Sequence, residues 1–176
     1  MSLEELREQN IRLVTEKALE CFIKNGINNT RVSEIAAESG LTQRSVFRYF
    51  PSKDDIVIAA AFCYWERTKA YIARELRRHT DDAQTGIEQI NIILNSYANM
   101  LFVDPEGIRF SLDAEVALYS VGKNAHVINR PPERYEAYKG PLSQAVRRGL
   151  ADGTVDPNAY IKQLYYNAYD SILGMM

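Results

Sequence analysis

Residues 30–53 read TRVSEIAAESGLTQRSVFRYFPSK, and this stretch decides the fold of the N-terminal part of the chain. In its first half, apolar residues recur at helical spacing after Thr30, a residue type that is common at helix starts. Ser39 and Gly40 end this pattern. The first half therefore predicts a helix of about two turns.

The second half of the stretch predicts another short helix. Thr42 is placed to cap it, and we expect the helix from Gln43 to Phe50 because Pro51 disfavours a helical conformation in the residue before it. Two short helices joined by such a turn are typical of a helix-turn-helix, a motif that binds DNA in the major groove.

The polarity of this second helix suits contact with DNA. Val46 and Phe50 share one face and are expected to pack inward. The outward residues are mostly polar or basic, and Arg and Gln side chains can form paired hydrogen bonds with guanine and adenine edges. The outward set is Gln43, Arg44, Ser45, Arg48 and Tyr49.

Positive charge is concentrated near the turn. The whole chain of 176 residues has a net charge of -2, so it lacks the overall basic character expected of many nucleic-acid-binding proteins. Between Gly40 and Lys53, however, there is no acidic residue. Any DNA contact must therefore come from a local patch, for which the alternative interpretation is an ordinary solvated helix surface. The basic residues of the patch are Arg31, Arg44, Arg48 and Lys53.

The stretch combines an Ile35-Ala36 pair, a Gly40-Leu41-Thr42 turn, a Phe47-Arg48-Tyr49-Phe50 run and Pro51-Ser52-Lys53 at the next helix start. This long and specific combination resembles the DNA-binding signature of the TetR family. The resemblance implies an all-α protein with an N-terminal three-helix helix-turn-helix DNA-binding head. It also implies a C-terminal helical body for ligand binding and dimerisation.

The resemblance also assigns roles to individual residues. It implies that Gln43, Arg44 and Ser45 face bases, that Thr42 belongs to the DNA-binding set, and that a further group faces phosphates or the groove edge. Two positions depart from the family pattern. Phe47 stands where the family usually has Tyr, so it lacks a hydroxyl and could simply pack, and Arg44 replaces a usual Gly, Ala or Pro and could reach either a guanine or a phosphate. The phosphate-facing group is Arg31, Ser33, Arg48, Tyr49 and Lys53.

Helical patterns continue through the rest of the chain. We expect a first helix at 3–25 ended by Gly26, and a long helix at 54–79 that links the head to the body. We place the domain boundary between residues 53 and 54, with a DNA-binding domain at 1–53 and a regulatory domain at 54–176. Later helices are expected at about 84–102, 105–119, 124–129, 133–151 and 157–176.

The resemblance also implies that the C-terminal body encloses a ligand pocket. By pattern alone, aromatic and polar residues of the body are pocket candidates, although core packing is the simpler interpretation of each. Asp113 and Glu115 would favour a cationic or hydrogen-bonding ligand if either faces inward, and are otherwise solvated acids. The candidates are Trp65, Tyr97, Met100, Phe110, Glu115, Tyr119 and His126.

The resemblance further implies that the last two helices pair with those of a second subunit, and hence a homodimer bound to a near-palindromic operator in double-stranded DNA. The Gly140-Pro141 pair would kink the first of these helices or move its start to about Pro141. The apolar end at Met175-Met176 leads us to expect that the last helix continues in a longer chain.

Other classes of function have little support in the sequence. We find no GxSxG, HExxH, GxxxxGK[ST] or GxGxxG motif, and His79 and His126 lack a spaced partner for a metal. We therefore expect no enzyme activity, no metal and no cofactor, and a cytoplasmic protein without a membrane span. The expected function is that of a transcriptional repressor, which an unidentified small molecule bound in the body releases from its operator. The alternative is a DNA-binding regulator whose body senses a protein partner instead of a small molecule.

Overall fold

The computed structural model describes residues 2–79, 81, 84–120 and 140–159, and all regular structure in these ranges is helical, which confirms the all-α class. None of the helices in this part of the chain is both long and apolar enough to cross a membrane. The helices are α1 (Leu3–Asn25), α2 (Val32–Glu38), α3 (Gln43–Tyr49), α4 (Lys53–His79), α5 (Gly86–Val103), α6 (Pro105–Ser120) and α7 (Pro141–Asp152).

The predicted helix boundaries are close to the observed ones. α1 has the expected bounds, and the backbone N–H of Gly26 donates to the Phe22 carbonyl at its end. α3 ends one residue earlier than expected and α4 begins one residue earlier. α7 begins at Pro141 in the described part of the chain, which fits a proline in the first helical turn, where no N–H is needed. Residues 157–159, where the last helix was expected to begin, form a turn instead. The helix expected at 124–129 and residues 160–176 of the expected last helix lie outside the described residues.

Thr30 does not cap α2, although threonine is a residue type that is common at helix starts. Arg31 occupies the cap position, and its side chain makes no capping hydrogen bond. Thr30 is instead buried, with its hydroxyl 2.8 Å from the Gly26 carbonyl oxygen and 3.2 Å from that of Cys21. The hydroxyl is satisfied by the end of α1, because burying it without a partner would cost free energy.

The described residues form two compact units. Unit 1 contains residues 2–66 and 105–120, in which α1 contacts α2 and α6, and α2 contacts α3. Phe110 of α6 is a centre of its core, stacked on Phe22 with ring centroids 6.0 Å apart and edge-on to Tyr64 at 6.2 Å. These compact units do not test the predicted functional boundary between residues 53 and 54, which stays a prediction.

Unit 2 contains residues 67–79, 81, 84–104 and 140–159, and its main contact joins α5 to α7. The two helices approach so closely at Gly86 and Gly149 that an added Cβ on Gly86 would overlap the backbone of Gly149. Residues at the end of α7 and just after it accept hydrogen bonds from the first backbone N–H groups of α5. Asp152 accepts a 2.7 Å hydrogen bond from the Gly86 N–H, and Thr154 accepts one of 3.2 Å from the Ile87 N–H.

Candidate nucleic-acid interface

The turn between α2 and α3 has a defined geometry. The Gly40 N–H donates to the Ala37 carbonyl at 3.0 Å, and the Leu41 N–H donates to the Ala36 carbonyl at 2.9 Å. Gly40 has a φ of +65°, which glycine adopts without the steric cost that other residues incur. This pair of bonds around a left-handed glycine is the Schellman motif, and it directs the chain from α2 into α3.

α3 is held at both of its ends. The Thr42 hydroxyl accepts a 3.1 Å hydrogen bond from the Ser45 N–H, so Thr42 is the N-cap that the sequence predicts. Val46 is fully buried and Phe50 is 7% exposed, which confirms the expected inward face. A helix of seven residues has little stability of its own, so this cap and this packing are what keep α3 in place.

The opposite face of α3 is open to solvent. Gln43, Arg44 and Arg48 are exposed as expected, whereas Ser45 and Tyr49 are half-buried. Phe47 is also exposed, at 39%, and the sequence did not single it out as a contact residue. The face therefore presents two guanidinium groups, an amide and an aromatic ring, without an acidic side chain on α3.

Tyr49 connects α3 to α1. Its hydroxyl oxygen accepts hydrogen bonds from the Asn10 amide and from the Arg48 guanidinium, each 3.1 Å long, and the Arg48 guanidinium carbon lies 5.2 Å from the Tyr49 ring centroid. The hydrogen bond from Arg48 is the main reason that the pKa of Tyr49 lies below its ordinary value; burial opposes this shift, whereas Asn10 adds to it. Both contacts leave the hydroxyl hydrogen available to a further acceptor.

The sequence did not indicate a role for Asn10. It lies 39 residues before Tyr49, so only the packing of α1 against the helix-turn-helix brings the two side chains together. Arg7 on the same helix also lies near enough to favour the ionised form of Tyr49. The surface around α3 therefore includes Asn10 and the positive charge of Arg7 from α1 as well as the residues predicted from the signature.

Lys53 occupies the first turn of α4. It is half-buried, and this burial lowers the pKa of its amine, an effect that the neighbouring Asp54 partly opposes. Ser52 and Asp55 exchange capping hydrogen bonds at the helix start, with the Ser52 N–H 3.0 Å from an Asp55 carboxylate oxygen and the Asp55 N–H 3.2 Å from the Ser52 hydroxyl. Arg31 and Ser33, at the start of α2, are exposed.

A cleft of about 520 Å³ in unit 1 also reaches Lys53. None of the seven candidate ligand-binding residues is among its described lining residues, and Asp113 lies in its wall as an exposed acid. The lining residues that the structure describes are Gly26, Ile27, Asn28, Asn29, Lys53, Asp54, Val57, Asp113, Val116 and Ala117.

The candidate ligand-binding residues fall in both units. Phe110 is buried in the core of unit 1, and Met100 is buried in unit 2. Trp65 and Glu115 in unit 1 and Tyr97 in unit 2 are half-buried. Tyr119 belongs to α6, and His126 lies outside the described residues. Their assignment to a ligand pocket stays a prediction.

Comparisons with known proteins agree with this architecture. The family model "Bacterial regulatory proteins, tetR family" matches residues 14–60. The HTH-type transcriptional regulator YuxN of Bacillus subtilis (strain 168), an uncharacterized protein, is 30% identical over 90 residues, which are 51% of this chain and 30% of that protein. The matched region spans less than half the length of the curated relatives that it resembles.

Solved structures share the fold over nearly the whole chain. A TetR-family regulator from Cytophaga hutchinsonii matches with a TM-score of 0.66 at 17% identity, covering 99% of this chain and 83% of that one. A gamma-butyrolactone receptor described as ArpA-like matches with a TM-score of 0.53 at 19% identity, covering 95% and 80%. Residues 14–60, which contain the helix-turn-helix, therefore match the model of the TetR family of bacterial regulatory proteins, and the chain shares its fold with solved structures described as TetR-family regulators.

Proposed function

We propose that the chain is a sequence-specific DNA-binding transcription regulator whose α3 enters the major groove. One observation carries the proposal: α3 is capped and packed on one side, and its other side presents exposed Gln43, Arg44 and Arg48 without an acid. A major groove about 12 Å wide admits one α-helix, and such side chains match both base edges and phosphates.

The residues of this surface divide into two roles. Gln43 and Arg44 lie in the first turn of α3, where side chains of a recognition helix meet base edges. Arg48 and Tyr49 lie at its other end, and the free hydroxyl hydrogen of Tyr49 suits a phosphate oxygen. Lys53 adds a positive charge at the start of α4, where backbone N–H groups also favour an anion. The remaining residues of the proposed interface are Thr42, Ser45, Arg31 and Ser33.

The proposed regulation is repression that a small molecule relieves. Its support is the fold shared with a receptor for a small molecule, gamma-butyrolactone. In this proposal the protein acts in the cytoplasm as a homodimer through its last two helices, and its operator is a near-palindrome. Light scattering should give twice the chain mass. Ligands can be found as compounds that raise the melting temperature, because a molecule that binds only the folded state stabilises it.

DNA recognition is tested by selecting a binding sequence from a random duplex pool and measuring affinity across a salt series. Arg44→Ala should weaken binding to the selected duplex by about 1–3 kcal/mol and relax the preference at one base pair. Lys53→Ala should weaken binding to selected and scrambled duplexes alike. It should also reduce the slope of log affinity against log salt by about one per subunit, because one fewer counterion is released.

Arg77→Ala is the matched control, since it removes an exposed positive charge in the last turn of α4 rather than its first. It should change neither the selected sequence nor the salt slope. If no sequence is enriched from the pool, the proposal fails. If Arg44→Ala weakens both duplexes equally, Arg44 contacts a phosphate instead of a base.

A further inference from the structure

Phe47 is the more exposed of the two aromatic side chains of α3. It is 39% exposed, although its neighbour Val46 is fully buried and Phe50 is 7% exposed. Those two residues already supply the inward face of the helix. Exposed apolar residues are common on protein surfaces, so exposure alone assigns no role to Phe47, and its position on the helix must decide.

The position of Phe47 places it within the proposed base-reading face. It follows Gln43 by four residues and Arg44 by three, and side chains at these spacings are neighbours on a helix surface. All three side chains are exposed. A groove floor that contacts Gln43 and Arg44 therefore also meets the ring of Phe47.

We infer that Phe47 is a specificity-determining residue that contacts the C5-methyl group of a thymine, an inference that rests on the proposed function. The edges of base pairs in the major groove present hydrogen-bond donors, hydrogen-bond acceptors and one kind of apolar group, the thymine methyl. A phenyl ring has no hydroxyl to offer a phosphate or a base. Burying it against a donor or acceptor would leave that group unpaired, whereas burying it against the methyl removes apolar surface from water.

The test replaces thymine by deoxyuridine, one position at a time, in the duplex selected from the random pool. The two nucleotides differ only in the C5-methyl group, so pairing and hydrogen-bond groups are unchanged. Loss of one methyl contact should weaken binding about fourfold at each half-site, since a buried methyl-sized group contributes about 0.8 kcal/mol. The sensitive thymine should be at or beside the base pair whose preference Arg44→Ala relaxes.

Two variants connect this effect to Phe47. Phe47→Ala should bind the thymine and deoxyuridine duplexes equally, because it can no longer contact the methyl group. Phe47→Leu should keep part of the discrimination, since it retains an apolar contact. Helix content and melting temperature measured by circular dichroism verify that both variants fold. The wild-type comparison of the two duplexes needs no variant, so it tests the contact even if Phe47→Ala unfolds.

The outcomes separate this inference from the proposed function. Enrichment of a sequence followed by equal affinity for thymine and deoxyuridine at every position overturns the role of Phe47 and leaves DNA recognition intact. A selected sequence without thymine in its half-sites overturns it as well. The same thymine preference in wild type and in Phe47→Ala assigns the methyl contact to another residue. Failure to enrich any sequence contradicts DNA recognition itself.

Discussion

Gly86→Ala should destabilise unit 2 because Gly86 lies where α5 and α7 touch. A methyl group at this position would overlap the backbone nitrogen and Cα of Gly149, and it would lie 2.6 Å from the carbonyl oxygen of Ala145. These are backbone atoms, so no side-chain rotation can make room. The helices would have to separate, and the 2.7 Å hydrogen bond from the Gly86 N–H to Asp152 would lengthen.

The expected cost follows from the kind of atoms that collide. Adding a methyl group to a well-packed core costs about 1–3 kcal/mol and sometimes more. Because backbone rather than side chains must move here, we expect the upper end, about 3 kcal/mol of unfolding free energy. For a chain of this size that corresponds to a fall in melting temperature of about 6–12 °C.

Gly153→Ala is the matched control for this experiment. A Cβ at position 153 would meet nothing within 4 Å, but the backbone φ of +78° is unfavourable for alanine. That strain costs about 1–2 kcal/mol. Thermal and urea unfolding of the full chain, followed by circular dichroism, should therefore rank wild type above Gly153→Ala and both above Gly86→Ala. If Gly86→Ala is as stable as Gly153→Ala or more stable, the close approach of the helices is not as described.

Three further predictions concern stability. Thr42→Ala should lower the unfolding free energy by about 1 kcal/mol and weaken DNA binding, because the Ser45 N–H loses its cap, whereas Thr42→Ser should behave as wild type in both assays. Phe110→Ala should cost about 3–5 kcal/mol in urea unfolding if Phe110 is a core residue, whereas a loss below about 1 kcal/mol would favour an open pocket wall. The third prediction concerns two carboxyl groups whose pKa values are lowered. The pKa of Asp152 is lowered mainly by the hydrogen bond from the Thr154 hydroxyl and then by that from the Gly86 N–H. The pKa of Glu88 is lowered mainly by the hydrogen bond from the Thr85 N–H. Their folded pKa values lie below the unfolded ones, so their stabilisation is present above about pH 4 and is lost as pH falls through the folded values. Melting temperatures should show a smaller loss between pH 5 and pH 3 in Asp152→Ala than in wild type, and parallel curves would contradict this.

Features that depend on neighbouring residues could be predicted from the sequence. The bounds of α1, the N-cap at Thr42 and the inward face of α3 follow from spacing, capping preference and the proline at position 51. These features arise within a few residues of one another, so the pattern in the chain contains the information needed. The start of α7 at Pro141 belongs to the same class, since a proline fits the first turn of a helix and disrupts its interior.

Features that depend on distant residues could not be predicted. Even over a short separation, residue type was not enough for Thr30, whose hydroxyl donates to the carbonyl oxygens of Gly26 and Cys21 and does not cap α2, because the fold of the turn after α1 decides this. The close approach of Gly86 and Gly149 joins residues far apart in the chain. The contact between α5 and α7 explains why Gly86 cannot easily be replaced, whereas a Cβ at Gly149 would meet the side chain of Val155, which follows α7.

The candidate interface depends on neighbouring residues and on distant ones. Which side chains α3 exposes follows from helical periodicity, and so the sequence could identify Gln43, Arg44 and Arg48. The position of the Tyr49 hydroxyl depends on α1 as well, because Asn10 donates a hydrogen bond to it from that helix, and Arg48 donates to the same oxygen. In the proposed function, the bases that are read depend on side chains of α3 alone. In the same proposal, binding to phosphates depends on other helices as well, through Lys53 at the start of α4 and through Asn10 of α1, which holds the Tyr49 hydroxyl.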